Sequence, residues 1–149
     1  MIYVILIGSN VKIYLYYVGK ARDHNANGIA EEYIRRLTRY TRCEMREIQP
    51  ARWDPWVKHP SATRILLDPA GKKVDSEQFV QLVAQAERDG RDLVFLVGGA
   101  SGLPAGWRGR GGLLLSLSAL TLPHELARVV LAEQIYRAIT TLRGHPYPK

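Results

Sequence analysis

His124 follows Pro123 where an apolar-striped helix over residues 125–142 is expected to begin. An unperturbed imidazole titrates near pH ~6.5, so this side chain is suited to taking a proton from a substrate at neutral pH. Further along the same helix Glu133 precedes Arg137 by four residues, the order and spacing that favour an ion pair on one face. On an exposed surface such a pair contributes only ~0.3–0.5 kcal/mol. Here it interrupts a helix that is apolar on most sides, through Leu126, Val129, Val130, Leu131, Ala132, Ile135, Tyr136, Ile139 and Leu142. A polar pair in that setting belongs at a subunit boundary or an active site, and the residues alone leave both open. His124 likewise reads, on its own, as a helix-start residue making a local hydrogen bond. Gly144 stops the helix, and a short tail carries His145 and Tyr147.

These groups need a scaffold. Residues 113–117 read as a buried strand, and Leu117, Ser118, Ala119, Leu120, Thr121 and Leu122 lead from it to the helix, a usual place for free main-chain groups to meet a ligand. Upstream, residues 11–18 alternate as a strand does. A helix is expected over residues 28–41, with Arg35, Arg39 and Arg42 along its outer face. Residues 44–48 form a short strand. Residues 49–63 hold Pro50, Pro55, Pro60, Trp53 and Trp56 and read as an irregular connection. The RILLD segment at 64–68 is a strand ended by a turn at Pro69, Ala70 and Gly71. Asp75 and Gln78 open a helix with a capping box, Gly90 closes it, and residues 92–97 form an apolar strand ended by Gly98 and Gly99. Residues 105–112 are a glycine- and arginine-rich connector.

This alternation predicts an α/β fold: a mainly parallel sheet of about five strands with helices on both faces, as one domain over residues 11–149. Ligands of open α/β sheets collect at the carboxyl ends of strands, which here bring together Leu67, Gly98 and the run 117–122. Gly98 has no Cβ, so a flat ring can approach its main chain; the plainer reading is a tight turn with core leucines around it. A Rossmann-type cofactor site does not fit, because the first strand ends in Val18, Gly19, Lys20 and Ala21 and lacks the glycine fingerprint.

The net charge of +7 favours a polyanionic partner. A single cysteine, Cys43, excludes an internal disulfide and offers no metal-binding set, which suits a reducing cytoplasm. Ile2 to Ile7 is too short an apolar run to span a membrane. Residues 1–10 read as an N-terminal extension ahead of a natural start at Val11.

The segments LVFLVGGASGL (93–103), LSLSALTLPHELARVVLAEQIYRA (115–138) and RGHPY (143–147), with weaker matches VKIYLYYVGK and AEEYIRRL, resemble the RlmH family. Its members are large-subunit ribosomal RNA methyltransferases of the SPOUT class. The resemblance implies a C-terminal trefoil knot, a homodimer, and S-adenosyl-L-methionine held by Leu67, Gly98, Leu117, Ser118, Ala119, Leu120, Thr121 and Leu122, without a metal. It implies methylation of N3 of a pseudouridine in helix 69 of 23S ribosomal RNA, on the ribosome, with His124, Arg137, Glu133 and Tyr147 at the substrate. Two features depart from the family pattern. Pro148 stands where a histidine is usual, ahead of the basic Lys149, and the 49–63 connection is too short for the family's full helix. A non-catalytic RNA-binding module, using Arg35, Arg39 and Arg42 with Trp53 and Trp56, is the alternative reading.

Overall fold

The computed structural model describes residues 11–147, so the expected extension at 1–10 and the positions of Pro148 and Lys149 lie outside the described residues. The elements are β1 (Ile13–Val18), α1 (His24–Leu37), β2 (Cys43–Ile48), α2 (Pro55–Lys58), β3 (Thr63–Lys73), α3 (Ser76–Asp89), β4 (Leu93–Val97), a single 3-10 turn (Trp107–Arg110), β5 (Leu113–Ser116) and α4 (His124–Leu142). All strand pairs are parallel, in the order β2-β1-β4-β3-β5. The fold is therefore the α/β, parallel five-stranded sheet expected. The chain leaves β4, passes over β3 to lay β5 at the edge, and returns so that α4 packs on α1 and α3. That path is consistent with the implied knot.

The alternation of β1 sorts its side chains onto two covered faces. Ile13 and Leu15 join Ala30, Leu37, Phe79, Val83, Leu131 and Ile135 under the long helices α1, α3 and α4. Tyr16 joins Ile48, Leu66, Leu96, Trp56 and Trp107 on the other face, with Tyr14, Val18 and Trp53 against them. Among the described residues no long helix covers this second face: one turn of α2 and the 3-10 turn carry the tryptophans that seal it, and the ring centroids of Trp56 and Trp107 are 5.4 Å apart. The irregular 49–63 connection thus contains a short helix, nucleated by Asp54, whose carboxylate accepts from the Trp56 N–H at 2.8 Å.

Three local expectations are corrected. Helix α1 starts at His24, ahead of residue 28, because Asp23 caps it by accepting from the Ala26 N–H at 3.0 Å. It ends at Leu37, so Arg39 and Arg42 lie beyond it and share no helix face with Arg35. Arg35 is itself paired with Glu32 at 2.5 Å. Finally, Pro69, Ala70 and Gly71 do not end β3. Leu115 of β5 pairs with both Leu67 and Lys72, so the intervening residues form a bulge within one longer strand. Pro69 has no N–H for the ladder. Gly71 lets the strand return, since a Cβ there would lie 2.6 Å from the Leu114 carbonyl carbon. The capping box of Asp75 and Gln78 is present, and Gly90 closes α3 in the left-handed conformation.

The last turns of α3 and α4 are joined by Glu87 and Arg143, whose two parallel hydrogen bonds measure 2.9 and 2.6 Å. Their side chains are 2% and 9% exposed. Glu87→Ala would leave a buried guanidinium without its counter-charge and should destabilise the fold by ~3–5 kcal/mol, read from urea unfolding midpoints.

Candidate active site

A pocket of about 610 Å³ opens where the carboxyl ends of β3, β4 and β5 meet the start of α4. Leu67, Leu103, Leu115, Leu117 and Leu122 give it apolar walls, and Asp68 and Arg108 mark its polar rim. Of the eight residues expected to hold a cofactor, Leu67, Gly98, Leu117, Ser118, Leu120, Thr121 and Leu122 line this pocket; Ala119 is exposed and does not.

The loop after β5 is shaped by its serines. Ser116 Oγ donates to the Ser118 carbonyl, and Ser118 Oγ accepts from the Leu120 N–H, both at 2.9 Å. The main chain of Ala119, Thr121 and Leu122 makes no hydrogen bond among the described residues, which leaves donors and acceptors for a ligand edge. Gly98 is needed for the chain's own packing as well. A Cβ there would lie 2.4 Å from the Gly102 carbonyl and 2.6 Å from the Leu103 nitrogen. The loop folds back on the end of β4 through Gly102 N–H to the Gly99 carbonyl, 2.9 Å, and Gly98 is what that return packs against.

His124 is the first residue of α4, half-buried in the pocket wall beside Pro123 and Ala127. Its helix turn is held by residues the sequence reading did not single out. Glu125 accepts from the N–H groups of Arg22 at 2.5 Å and Asp23 at 3.2 Å, and from Asn27 Nδ2 at 3.1 Å. These bonds, that from Arg22 foremost, hold its carboxyl at about 2, against an ordinary 4.5. Arg128 is wholly buried. Its guanidinium sits 3.9 Å over the Tyr17 ring, donates to Asn27 Oδ1 at 3.3 Å and the Val18 carbonyl at 3.4 Å, and lies 3.6 Å from Glu125. A signal existed: Arg128 precedes Leu131 and Ala132 by three and four residues, so it falls on the buried stripe of α4. Asp68 was also missed. It is buried, bonded to Arg108 and to the Ala70 N–H, and these bonds lower its carboxyl below the usual range, the Ala70 contact most.

Glu133, Arg137 and Tyr147 form a separate cluster. Glu133 Oε2 accepts from the Tyr147 hydroxyl at 2.8 Å and from Arg137 Nη2 at 2.9 Å. The Tyr147 ring packs on Tyr136 with centroids 4.6 Å apart. Burial, then the Tyr33 and Glu133 contacts, push the Tyr147 hydroxyl up, so it stays protonated. At 1.5 Å rise per residue, Arg137 lies about 20 Å along α4 from His124. Within one chain the structure does not bring the two groups to one point.

A family model described as "Predicted SPOUT methyltransferase" matches residues 11–148. The chain is 60% identical over 92% of its length, and 99% of the relative's, to ribosomal RNA large subunit methyltransferase H of Solibacter usitatus. It is 42% identical, over 87% of its length and 94% of the relative's, to the protein of the same name from Sorangium cellulosum. Among solved structures it resembles a probable methylase family protein from Haemophilus influenzae, with TM-score 0.61 and 12% identity, covering 95% of this chain and 71% of that one. It also resembles a probable methyltransferase from Bordetella pertussis, with TM-score 0.56 and 10% identity, covering 87% and 96%. At these identities the structural likeness concerns the fold.

Two outcomes are expected. Gly98→Ala should displace the 99–103 loop and lower ligand affinity at the pocket at least tenfold, ~1.4 kcal/mol, measured by calorimetry. The Glu125 contribution to stability should be fully present above the ordinary carboxyl value of 4.5 and be lost as pH falls toward about 2. Unfolding free energies of wild type and Glu125→Gln should therefore differ at pH ~6 and converge on acidification.

Proposed function

The chain belongs to the SPOUT methyltransferase family, and on that premise we propose that it transfers a methyl group from S-adenosyl-L-methionine to N3 of a pseudouridine in helix 69 of 23S ribosomal RNA. The observation that carries the proposal is the 60% identity to a ribosomal RNA large subunit methyltransferase H over nearly the whole of both chains. The pocket at the strand ends supports it, since its size lies within the ~300–1,000 Å³ range of small-molecule sites.

Leu67, Leu115, Leu117 and Leu122 would receive the adenine, and the unbonded main chain of Thr121 and Leu122 would meet its polar edge. S-adenosyl-L-methionine supplies a sulfonium-bound methyl group, so metal is not needed for the transfer. The chain's own task is to hold the base in line and manage one proton. Pseudouridine is C-linked and its N3–H is weakly acidic. His124, at the pocket wall, takes that proton as general base, leaving a nitrogen anion as the nucleophile. Alignment supplies most of the rate.

The cluster of Glu133, Arg137 and Tyr147 acts at the substrate from a second subunit in this proposal. A homodimer across the α1–α4 layer would account for the exposure of Ile29 at 51% and Leu126 at 47%. It would place Arg137 as electrostatic support, and Tyr147 as a stacking surface for the base, at the partner's pocket. The partners are then 23S ribosomal RNA on the ribosome and a second copy of the chain, in the cytoplasm. Among the described residues no helix is long and apolar enough to cross a membrane. The alternative of a non-catalytic RNA-binding module loses its basic helix face, since Arg35 is tied to Glu32 and the other arginines leave the helix. Heat of S-adenosyl-L-methionine binding separates the two.

Labelled methyl groups should pass to ribosomes, with naked 23S ribosomal RNA as the comparison. His124→Ala should keep cofactor affinity and lower the single-turnover rate by ~10²–10⁴; an unchanged rate removes it from the mechanism. Arg137→Ala should weaken transfer, and sedimentation shows whether the dimer is lost with it.

A further inference from the structure

The amino edge of the sheet, opposite the pocket, has a cleft of its own. It measures about 540 Å³ and is lined by Lys58, His59, Ser61, Gly90, Arg91 and Asp92. The strand starts behind it are locked side by side: Ile13 N–H bonds the Arg42 carbonyl, Leu93 N–H the Lys12 carbonyl and Thr63 N–H the Asp92 carbonyl, at 2.9, 2.9 and 2.8 Å. Neighbouring strands are ~4.8 Å apart, so Arg42, Lys12 and Arg91 follow one another along this edge, with Lys58 beside them. None of these four side chains has an ion-pair partner among the described residues. The acids here are engaged: Asp92 accepts from the Lys12 N–H at 2.9 Å, Glu44 lies 3.9 Å from Arg46, and Asp89 accepts from Gln85 at 3.0 Å.

Against this cationic row stands an aromatic surface. His59 and Tyr14 have ring centroids 4.4 Å apart and both are half-buried. His59 is held from behind, by the Tyr16 hydroxyl at Nε2, 2.8 Å, and by Arg64 Nη1 on its carbonyl, 2.7 Å. Burial also lowers its pKa, so the ring is neutral at pH 7. Arg46 caps the neighbouring Trp53 at 4.8 Å. A neutral fixed platform beside unpaired cations suits a strand of flat bases and phosphates better than an acidic peptide, which has no use for the rings.

We propose that this amino edge is a second RNA-contact surface, with Lys58, Arg91, Lys12 and Arg42 meeting phosphates and Tyr14 with His59 receiving a base. It rests on the reading that the substrate is RNA. The six residues of β1 separate it from the pocket by about 20 Å, so it holds a segment other than the one methylated. Its effect is on substrate capture and not on the chemical step.

The test uses the full chain, 23S ribosomal RNA and ribosomes, with heparin as a polyanion that carries no bases. Lys58→Gln/Arg91→Gln should reduce the slope of log affinity against log salt by ~1.4–1.8, for two lost phosphate contacts. KM for RNA should rise severalfold, with the single-turnover rate at saturation and cofactor affinity unchanged. Tyr14→Leu should weaken RNA binding several-fold and leave heparin binding as in wild type. Equal salt slopes for wild type and the double variant overturn the surface, and equal loss of heparin and RNA binding in Tyr14→Leu overturns the stacking role. Wild type that transfers no methyl group while the slopes still differ overturns the enzymatic reading and leaves this one standing. Wild type that binds no RNA overturns both.

Discussion

A single charge removed from water, that of Arg128, organises the front of the molecule. Burying a guanidinium costs several kcal/mol unless its surroundings replace the water it loses. Here Tyr17 offers its ring, Val18 and Asn27 their oxygens, and Glu125 the counter-charge. Those partners come from the end of β1, the start of α1 and the first turn of α4. Satisfying the charge therefore fixes the three elements relative to one another. Glu125 extends the tie to the loop before α1 through Arg22 and Asp23. His124 is one residue away from this clamp, so its position over the pocket is set by packing that the pocket itself does not contain. One nitrogen of the group, Nε, has no hydrogen-bond partner among the described residues.

The sheet's polarity separates two kinds of surface. At the carboxyl ends, a glycine return and a serine-braced loop make an apolar hollow with free main chain. At the amino ends, the chain has unpaired cations beside half-buried rings. The second face between them is thin, sealed by Trp56 and Trp107 on single turns of helix. The short 49–63 connection therefore does more than replace a missing helix. It delivers Lys58 and His59 to the amino edge, where a longer helical segment would give a different surface.

Much of the frame was legible in the sequence, because its signals are local. The period-two pattern of 11–18, the apolar run before Gly98, and Asp75 with Gln78 each carry their own structural instruction. Gly90 does so as well, at the end of α3. The gaps were of two kinds. Some came from competing local signals: Asp23 was passed over as a cap, and Pro69 to Gly71 read as a turn because nothing local reveals that β5 waits to pair with Lys72. Others were matters of distance in three dimensions. The contact of Gly98 with the chain's own Gly102 is one, and it stands beside the place of Gly98 in the pocket lining. The cluster of Glu133, Arg137 and Tyr147 is another, since a helix rise of ~1.5 Å per residue sets it far from His124 within one chain. Arg128 was hidden by its type, since an arginine on an apolar stripe is usually discounted as surface.

The order in which the walls of the pocket are made also has a bearing on synthesis. Among the described residues β5 touches the sheet only through β3, and α4 follows it. A ribosome-bound nascent chain that has reached the end of β4 can already pair β1 to β4, but it has neither the 117–122 loop nor His124. The parts that wall the pocket are translated after the strands they complete and pair with segments made much earlier, which is the slowest kind of contact to form. The pocket of the growing polypeptide therefore stays unfinished until the α4 segment docks and the Arg128 clamp closes.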